Sequence, residues 1–191
     1  HCDHHMRVGP DYRFGALFDE GSWQRIEMPR SPADPLRFRD QKRYADRLKE
    51  AQTKTKAVDA LEAALGRIDG LPTVVAVMNF EFMGGSMGTS LGEGFVVAAR
   101  QAVKHDAAFV VVTSSGGARM QEGALSLMQM ARTTVVIEEV KEAGLPYIVI
   151  LTDGYPDATV DAIEQARLAR ESGIEIVAIG TALFRRFSSS S

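Results

Sequence analysis

The chain has 191 residues, 45% hydrophobic and 25% charged, which is enough to bury the core of one α/β domain. Its net charge of −3 gives no reason to expect nucleic acid or an anionic membrane as a partner, and its single cysteine excludes a disulfide framework and fits the cytoplasm. No apolar run reaches the roughly 20 residues that span a bilayer, and no signal-peptide pattern is present. A start at His1 instead of Met indicates a fragment or a processed chain.

The first third of the chain predicts two helices. A short helix is expected at residues 12–20, and a charged helix is expected from Asp40, as its N-cap, to about Lys54. Segment 57–65 is ambiguous, because its alanines and leucines favour helix while it leads into the turn-rich stretch 66–70. Helix and strand therefore both stay open for this segment.

The middle of the chain alternates strand and helix signals. Residues 73–80 are apolar and β-branched and predict a strand, followed by a glycine-rich loop at 82–88 and a helix at 89–105. The apolar run 107–113 predicts a second buried strand. It leads directly into Ser-Gly-Gly-Ala-Arg-Met-Gln-Glu at 115–122.

The last third continues the alternation. An apolar stripe at helical spacing predicts a long helix from Met120 onward, and its members are Ala124, Leu127, Met128, Ala131 and Val135. A strand is expected at 147–151, then a helix carrying Val160, Ile163 and Ala166, and a last strand at 174–179. This alternation predicts a largely parallel sheet covered by helices.

Two adjacent glycines mark the corner between the strand at 107–113 and the helix after it. They permit a tight turn with exposed backbone N–H groups, and such a corner can hold a developing oxyanion. Taken alone, a Gly-Gly turn between a strand and a helix is more often explained as chain geometry. Arg119 and Glu122 can pair across the first helical turn in a purely structural role.

Several long motifs resemble the carboxyltransferase β subunit of bacterial acetyl-CoA carboxylase. They are, in chain order, C-x-x-H-M-R from Cys2, DPLRFRDQKRYADRL at 34–48, FMGGSMG at 82–88, SGGARMQEGALSLMQMA at 115–131 and AGLPYIVILTD at 143–153. The resemblance covers about the first four-fifths of the chain. Because several motifs occur in the same order, the match is specific.

The resemblance implies a truncated crotonase-like α/β fold of the ClpP/crotonase superfamily. It also implies an enzyme of fatty acid synthesis, which moves a carboxyl group from carboxybiotin to acetyl-CoA and forms malonyl-CoA. The implied partners are a carboxyltransferase α subunit and the biotin carboxyl carrier protein, which bears the carboxybiotin. Since the family's C-terminal half is missing, the fragment's activity stays open.

The resemblance also implies roles for the two glycine-rich segments. The implied catalytic donors are the backbone amides of Gly116, Gly117 and Ala118, which would stabilise an enolate oxygen. The implied substrate-binding residues are Gly84, Gly85, Ser86, Gly88 and Arg119. The alternative for 82–88 is a flexible connection between a strand and a helix.

A basic cluster lies at the start of the second predicted helix, and its members are Arg37, Arg39, Lys42, Arg43 and Arg47. These cations could steer the phosphates of coenzyme A. However, Asp40, Asp46 and Glu50 are interleaved with them, which favours a solvated face of offsetting charges.

The N-terminus contains Cys2 where the family's zinc ribbon has the last of its four cysteines. A structural zinc site needs four ligands, and the other three cysteines are absent from this chain. We therefore interpret residues 1–9 as the remnant of a zinc ribbon, with Cys2 in an incomplete metal site and zinc binding doubtful.

The resemblance stops after Asp153, and residues 154–181 resemble the end of a von Willebrand factor A domain. That family binds a metal through an upstream Asp-x-Ser-x-Ser element, which does not occur in this sequence. The predicted divisions are a remnant at 1–9, a carboxyltransferase-like domain at 10–153, a substituted ending at 154–181 and a tail at 182–191. A non-catalytic binding module and a chimeric α/β domain without evolved activity are the alternatives.

Overall fold

Six strands in the described part of the chain form one sheet, in the order in which they occur in the sequence. The protein is described by a computed structural model, which covers residues 8–151 and 175–178. The strands are β1 (Gln24–Ile26), β2 (Leu61–Ile68), β3 (Leu71–Met78), β4 (Ala108–Thr113), β5 (Tyr147–Leu151) and β6 (Glu175–Ala178). The first three strands pair antiparallel and the remaining pairs are parallel, so the predicted largely parallel sheet is wrong for its N-terminal half.

Within the described residues, four α-helices accompany the sheet. They are α1 (Pro10–Leu17), α2 (Tyr44–Thr55), α3 (Thr89–Lys104) and α4 (Ala124–Glu142), with single 3₁₀ turns at Met83–Gly85 and Met120–Glu122. Helices α3 and α4 connect parallel strands and pack beside each other, and α1 packs against β2 and β3. None of the helices in the described part of the chain is long and apolar enough to cross a membrane.

The ambiguous segment 57–65 contains no helix, and β2 begins at Leu61. Asp69 and Gly70 both have positive φ angles, of 50° and 75°, and form the tight turn of a hairpin between β2 and β3. The hairpin pairs Ala64 with Val75, and both side chains are fully buried. Cross-strand packing therefore overrides the helical preference of the alanines.

The alternation of side chains along β3 builds two cores. Val74 and Ala76 belong to the core that includes α3 and α4, whereas Val75 and Val77 face the aromatic side chains of α1. Both faces of the central strands are consequently covered, which explains why their sequences are continuous apolar runs.

Helix α2 begins later than the sequence predicts. Its N-cap residue is Arg43 and no side chain caps the helix, so the prediction of Asp40 as the N-cap is wrong. The Asp40 carboxylate instead accepts hydrogen bonds from the backbone of Lys42 and the guanidinium of Arg47. The Asp40 side chain therefore bonds to these neighbouring groups and does not cap the helix.

The prediction of strands at 107–113, 147–151 and 174–179 is confirmed by β4, β5 and β6. The helix predicted to carry Val160 lies outside the described residues, as does Cys2.

The apolar stripe on α4 faces outward, whereas an amphipathic helix is expected to bury such a stripe against the core. Leu127, Met128 and Val135 are exposed, whereas the buried face includes Ser126 and Gln129. These two polar side chains bond to carbonyls within their own helix region, so their burial leaves no unmet hydrogen bond. The outer face of α4 is thus an exposed apolar surface.

Adjacent valines on α4 test this orientation. We expect Val136→Ala, at a site that is 1% exposed, to lower the free energy of unfolding by about 2 kcal/mol through loss of packing. Val135→Ala, at a site that is 64% exposed, should change it by less than about 0.5 kcal/mol. Denaturant unfolding of both variants measures the difference, and equal losses would contradict the helix orientation.

Candidate functional site

Two loops cross at the carboxyl ends of β3 and β4, the position where ligands bind in parallel sheets. The amide of Gly116 donates to the carbonyl of Gly84 at 2.9 Å. Met87 then donates to the Gly117 carbonyl and accepts from the Arg119 amide, both at 2.9 Å. The glycine-rich segments 82–88 and 115–122 are therefore joined by backbone hydrogen bonds.

Gly85 is required for this crossing. Its φ angle is +67°, and a Cβ atom there would lie 2.0 Å from the carbonyl oxygen of Ser114. Gly84 has the same φ angle, but a Cβ atom at that position would meet nothing within 4 Å. The two adjacent glycines thus share a backbone conformation and differ in the space around them.

Arg119 is the centre of a buried polar network beneath the crossing, and it is 1% exposed. Its guanidinium forms a bidentate ion pair with Asp59, with Nη1–Oδ2 at 2.7 Å and Nη2–Oδ1 at 2.6 Å. It also donates to the hydroxyl of Ser86 at 3.1 Å and to the Ser86 carbonyl at 2.7 Å. Because these bonds hold the side chain beneath the loop, Arg119 fixes the position of Ser86.

Tyr44 and Glu122 extend the network to the helices. The Tyr44 hydroxyl donates to Glu122 Oε1 at 2.5 Å and accepts from Arg119 Nη1 at 3.2 Å. Glu122 Oε2 accepts from the backbone amide and hydroxyl of Thr89, at 2.6 and 2.5 Å. Glu122 therefore caps the first turn of α3, where a negative charge is favoured by the helix dipole.

Gly88 leaves room for this network. A Cβ atom there would lie 2.6 Å from Glu122 Oε1 and 2.8 Å from Arg119 Nη1. Gly85 and Gly88, both predicted to bind substrate, are buried and pack against protein atoms. Close packing explains the glycine at position 88, and close packing together with a positive φ angle explains the glycine at position 85.

The network keeps its charged groups ionised. Burial by itself would lower the pKa of Arg119, but the hydrogen bonds and charge of Asp59 more than offset it and raise the pKa. Burial would likewise raise the pKa of Glu122, yet hydrogen bonds from Thr89 and Tyr44 bring it below its usual value. Burial raises the pKa of Tyr44, which keeps its hydroxyl protonated as a donor.

The three amides predicted to be oxyanion donors differ in their partners. The Gly116 amide is engaged by Gly84, and the Gly117 amide donates to Ser115 Oγ at 3.1 Å. The Ala118 amide has no acceptor among the described residues, and Ala118 is exposed. Pairing between the loops thus uses the first amide and a local turn uses the second, and the catalytic role of the three amides stays a prediction.

A groove of about 580 Å³ lies beside the crossing. One wall comes from the loops and the other from α2, and the lining residues are Met83, Ser86, Ala118, Arg119, Met120, Gln121, Arg47, Glu50, Ala51 and Lys54. Of the predicted substrate-binding residues, Ser86 and Arg119 line this groove, and the guanidinium of Arg119 is already bonded to protein groups. Ala118, whose amide has no acceptor among the described residues, lines the same groove.

Charges at the start of α2 offset one another, as the interleaved sequence predicted. Arg43 pairs with Asp46 at 2.9 Å, Arg47 pairs with Asp40 at 2.6 Å, and Lys42 pairs with Glu50. Lys54, farther along the helix, forms no ion pair within the described residues. The basic cluster is thus largely neutralised.

Sequence reasoning missed Tyr44, Asp59 and Thr89. In the sequence, Asp59 is an acidic residue in the loop before β2 with no distinguishing motif around it, and it lies 60 positions from Arg119. The sequence offered one signal for the buried network, namely the oppositely charged Arg119 and Glu122 in a glycine-rich segment. From the sequence alone, this pair was explained as a local contact between the two residues.

Comparison with known proteins identifies similar sequences. A family model described as the carboxyl transferase domain matches residues 18–154. An acetyl-coenzyme A carboxylase carboxyl transferase subunit beta from Gluconacetobacter diazotrophicus is 56% identical over 80% of this chain and 51% of the relative. The protein of the same name from Granulibacter bethesdensis is 60% identical, over 80% of this chain and 50% of the relative. The chain thus spans about half the length of these relatives.

Solved structures share the fold. Transcarboxylase 12S with methylmalonyl-coenzyme A bound is 27% identical with a TM-score of 0.56, over 75% of this chain and 25% of that chain. The Pseudomonas malonate decarboxylase MdcD–MdcE hetero-dimer is 19% identical with a TM-score of 0.55, over 90% of this chain and 79% of that chain. The fold is the predicted crotonase-like α/β fold.

The two adjacent loop glycines give a matched test of the crossing. Both Gly84→Ala and Gly85→Ala introduce a strained positive φ angle, which costs about 1–2 kcal/mol. We expect Gly85→Ala to cost about 2 kcal/mol more, because its methyl group collides with the Ser114 carbonyl. Denaturant unfolding compares them, and equal stabilities would show that the loops do not approach so closely.

The capping role of Glu122 predicts a pH dependence. Because its pKa is lower in the folded state, its ionised form stabilises the protein above the unfolded pKa of about 4.3, and this stabilisation is lost as pH falls through the folded pKa. The stability difference between the unaltered chain and Glu122→Gln should therefore be large at pH 7 and shrink below about pH 4.

Urea unfolding between pH 3 and pH 7 measures this difference. Glu142→Gln, an exposed change on α4, is the control and should have little effect at any pH. A Glu122→Gln penalty that is the same at pH 3 and pH 7 would contradict the role of the ionised carboxylate.

Proposed function

The chain belongs to the carboxyl transferase domain family, and we propose that it is a carboxyltransferase component that carboxylates acetyl-CoA to malonyl-CoA with carboxybiotin as the donor. The observation that carries the proposal is the unpaired Ala118 amide in a groove at the carboxyl ends of two parallel strands. High identity to proteins named acetyl-coenzyme A carboxylase carboxyl transferase subunit beta supports acetyl-CoA as the acceptor.

The reaction requires an enolate of the acetyl group. Carboxybiotin loses CO₂ by breaking its N–C bond, and the resulting biotin anion takes a proton from the acetyl methyl group. The enolate carbon then bonds to the carbon of CO₂ and gives malonyl-CoA, while biotin returns to its neutral form. No side chain of the network has to act as the base in this sequence.

Stabilising the enolate oxygen is the task proposed for Ala118. Its backbone N–H is fixed by the loop crossing before substrate binds, so little reorganisation is needed when charge develops on the thioester oxygen. Gly116 and Gly117 contribute by holding the turn through their own hydrogen bonds. A donor in this role typically contributes about 3–4 kcal/mol to the transition state.

The groove has the mixed lining that an acyl-CoA chain requires. Met83, Ala51 and Met120 offer apolar contact to the pantetheine arm, and Lys54 offers a cation to the phosphates. Arg47 also lines the groove, and its Nε atom is buried without an acceptor in the described part of the chain. Ser86, held by Arg119, is placed against the same ligand.

Arg119 is proposed as a positioning residue. Its guanidinium is bonded to Asp59 and Ser86 beneath the groove, so it sets the loop geometry without touching the reacting atoms.

The proposed partners are the carboxyltransferase α subunit and the biotin carboxyl carrier protein, in the cytoplasm. The exposed apolar surface of α4 supports a partner subunit, and Met120, shortly before α4 in the chain, is exposed and lines the groove. An α subunit seated there would exclude water from the groove. The assignments of 1–9 to a zinc-ribbon remnant and of 154–181 to a substituted ending remain part of this proposal.

Substitution of Ala118 tests the function. Ala118→Pro removes the N–H group, and Ala118→Gly keeps it. In the presence of the α subunit and carboxybiotin, we expect Ala118→Pro to lower kcat for malonyl-CoA formation by about 10²- to 10³-fold and Ala118→Gly to stay within a few-fold. Calorimetric binding of acetyl-CoA to each variant separates loss of binding from loss of chemistry.

Circular dichroism and thermal unfolding are the controls for an intact fold. A folded, unaltered chain that fails to bind acetyl-CoA would refute the proposal. Equal activity of the two Ala118 variants would refute the role of the amide and leave the reaction type standing.

A further inference from the structure

A second concave surface lies on the other side of α2. It has a volume of about 310 Å³ and is called the cationic pocket here; its lining residues are Arg30, Lys49, Gln52, Thr53, Lys56, Ala57 and Val58. Its α2 residues lie on one helical face, at positions 49, 52 and 53, and Lys56 follows as the C-cap, whereas the groove uses positions 47, 50, 51 and 54. These two sets lie on opposite faces of the helix, so the pocket is distinct from the groove.

The charges of the cationic pocket have a single sign. Three cations line it and no carboxylate does. Arg30, Lys49 and Lys56 take part in no ion pair within residues 8–151 and 175–178, in contrast to the neutralised cations at the start of α2. Lysine near a helix C-terminus is ordinary, but Arg30 comes from the separate loop after β1 and converges on the same space.

The neutral residues that line the pocket form hydrogen bonds with the backbone around it. Gln52 donates to the Val58 carbonyl at 3.0 Å, and Thr53 donates to the Lys49 carbonyl at 2.8 Å. These bonds tie the segment after α2 to the helix. Val58 lines the pocket, and its amide has no acceptor among the described residues.

We propose that the cationic pocket binds a phosphorylated anion, with Arg30, Lys49 and Lys56 contacting the phosphate oxygens. Phosphate groups offer several oxygens to separate donors and match the planar fork of arginine. The chemistry has two possible sources: the phosphates of a coenzyme A molecule whose acyl end lies in the groove, or a separate phosphorylated molecule. The site does not depend on the proposed carboxyl transfer.

Calorimetric titration of the 191-residue chain with inorganic pyrophosphate at low salt tests the pocket. We expect saturable binding that weakens about fivefold in Lys49→Gln and in Lys56→Gln, as for the loss of one exposed charge contact. Lys104→Gln is the control, because Lys104 is likewise an exposed lysine, in the last turn of α3, and lies outside the pocket. It should leave the affinity unchanged.

Absence of saturable pyrophosphate binding, or equal weakening in all three variants, would overturn the proposal. Competition then identifies the source of the phosphate. Displacement of pyrophosphate by acetyl-CoA would assign the pocket to the coenzyme A phosphates, and simultaneous binding of both would assign it to a separate phosphorylated molecule. Neither result depends on the Ala118 variants, so failure of the carboxyl-transfer proposal is recognised independently.

Discussion

The buried ion pair between Arg119 and Asp59 is the interaction on which the rest of the site depends. Through Arg119 it reaches Ser86 in the first loop, and through Tyr44 and Glu122 it reaches the starts of α2 and α3. Removing one partner from such a pair leaves an uncompensated buried charge and commonly costs about 3–5 kcal/mol. One guanidinium thus joins segments that are distant in sequence and fixes the geometry of the loop crossing.

This arrangement separates the residues that build the site from those that can meet a ligand. Gly85 and Gly88 are needed for close packing, and the amides of Gly116 and Gly117 are engaged by protein acceptors. The Ala118 amide is left exposed beside the groove. A backbone amide that is held rigidly and has no protein acceptor can stabilise a developing charge, because the donor does not have to reorganise when the charge forms.

Helices α2 and α4 each carry different types of side chain on their opposite sides. Ion pairs hold the start of α2, while its unpaired lysines toward the end are divided between the groove and the cationic pocket. Helix α4 buries polar residues toward α3 and presents apolar ones outward. Within the described residues, the outer side of α4 therefore carries exposed apolar side chains that the sheet and the other helices do not cover.

The sequence by itself determined the strands β4 and β5, the glycine-rich loops and the family, because continuous apolar runs and long ordered motifs are local signals. The tertiary structure decided that Leu61–Ile68 is a strand, since pairing with β3 outweighs helical propensity. It also decided which face of α4 is buried and which amide is free. These outcomes depend on contacts such as Arg119 with Asp59, which join residues 60 positions apart and leave no trace in the local pattern.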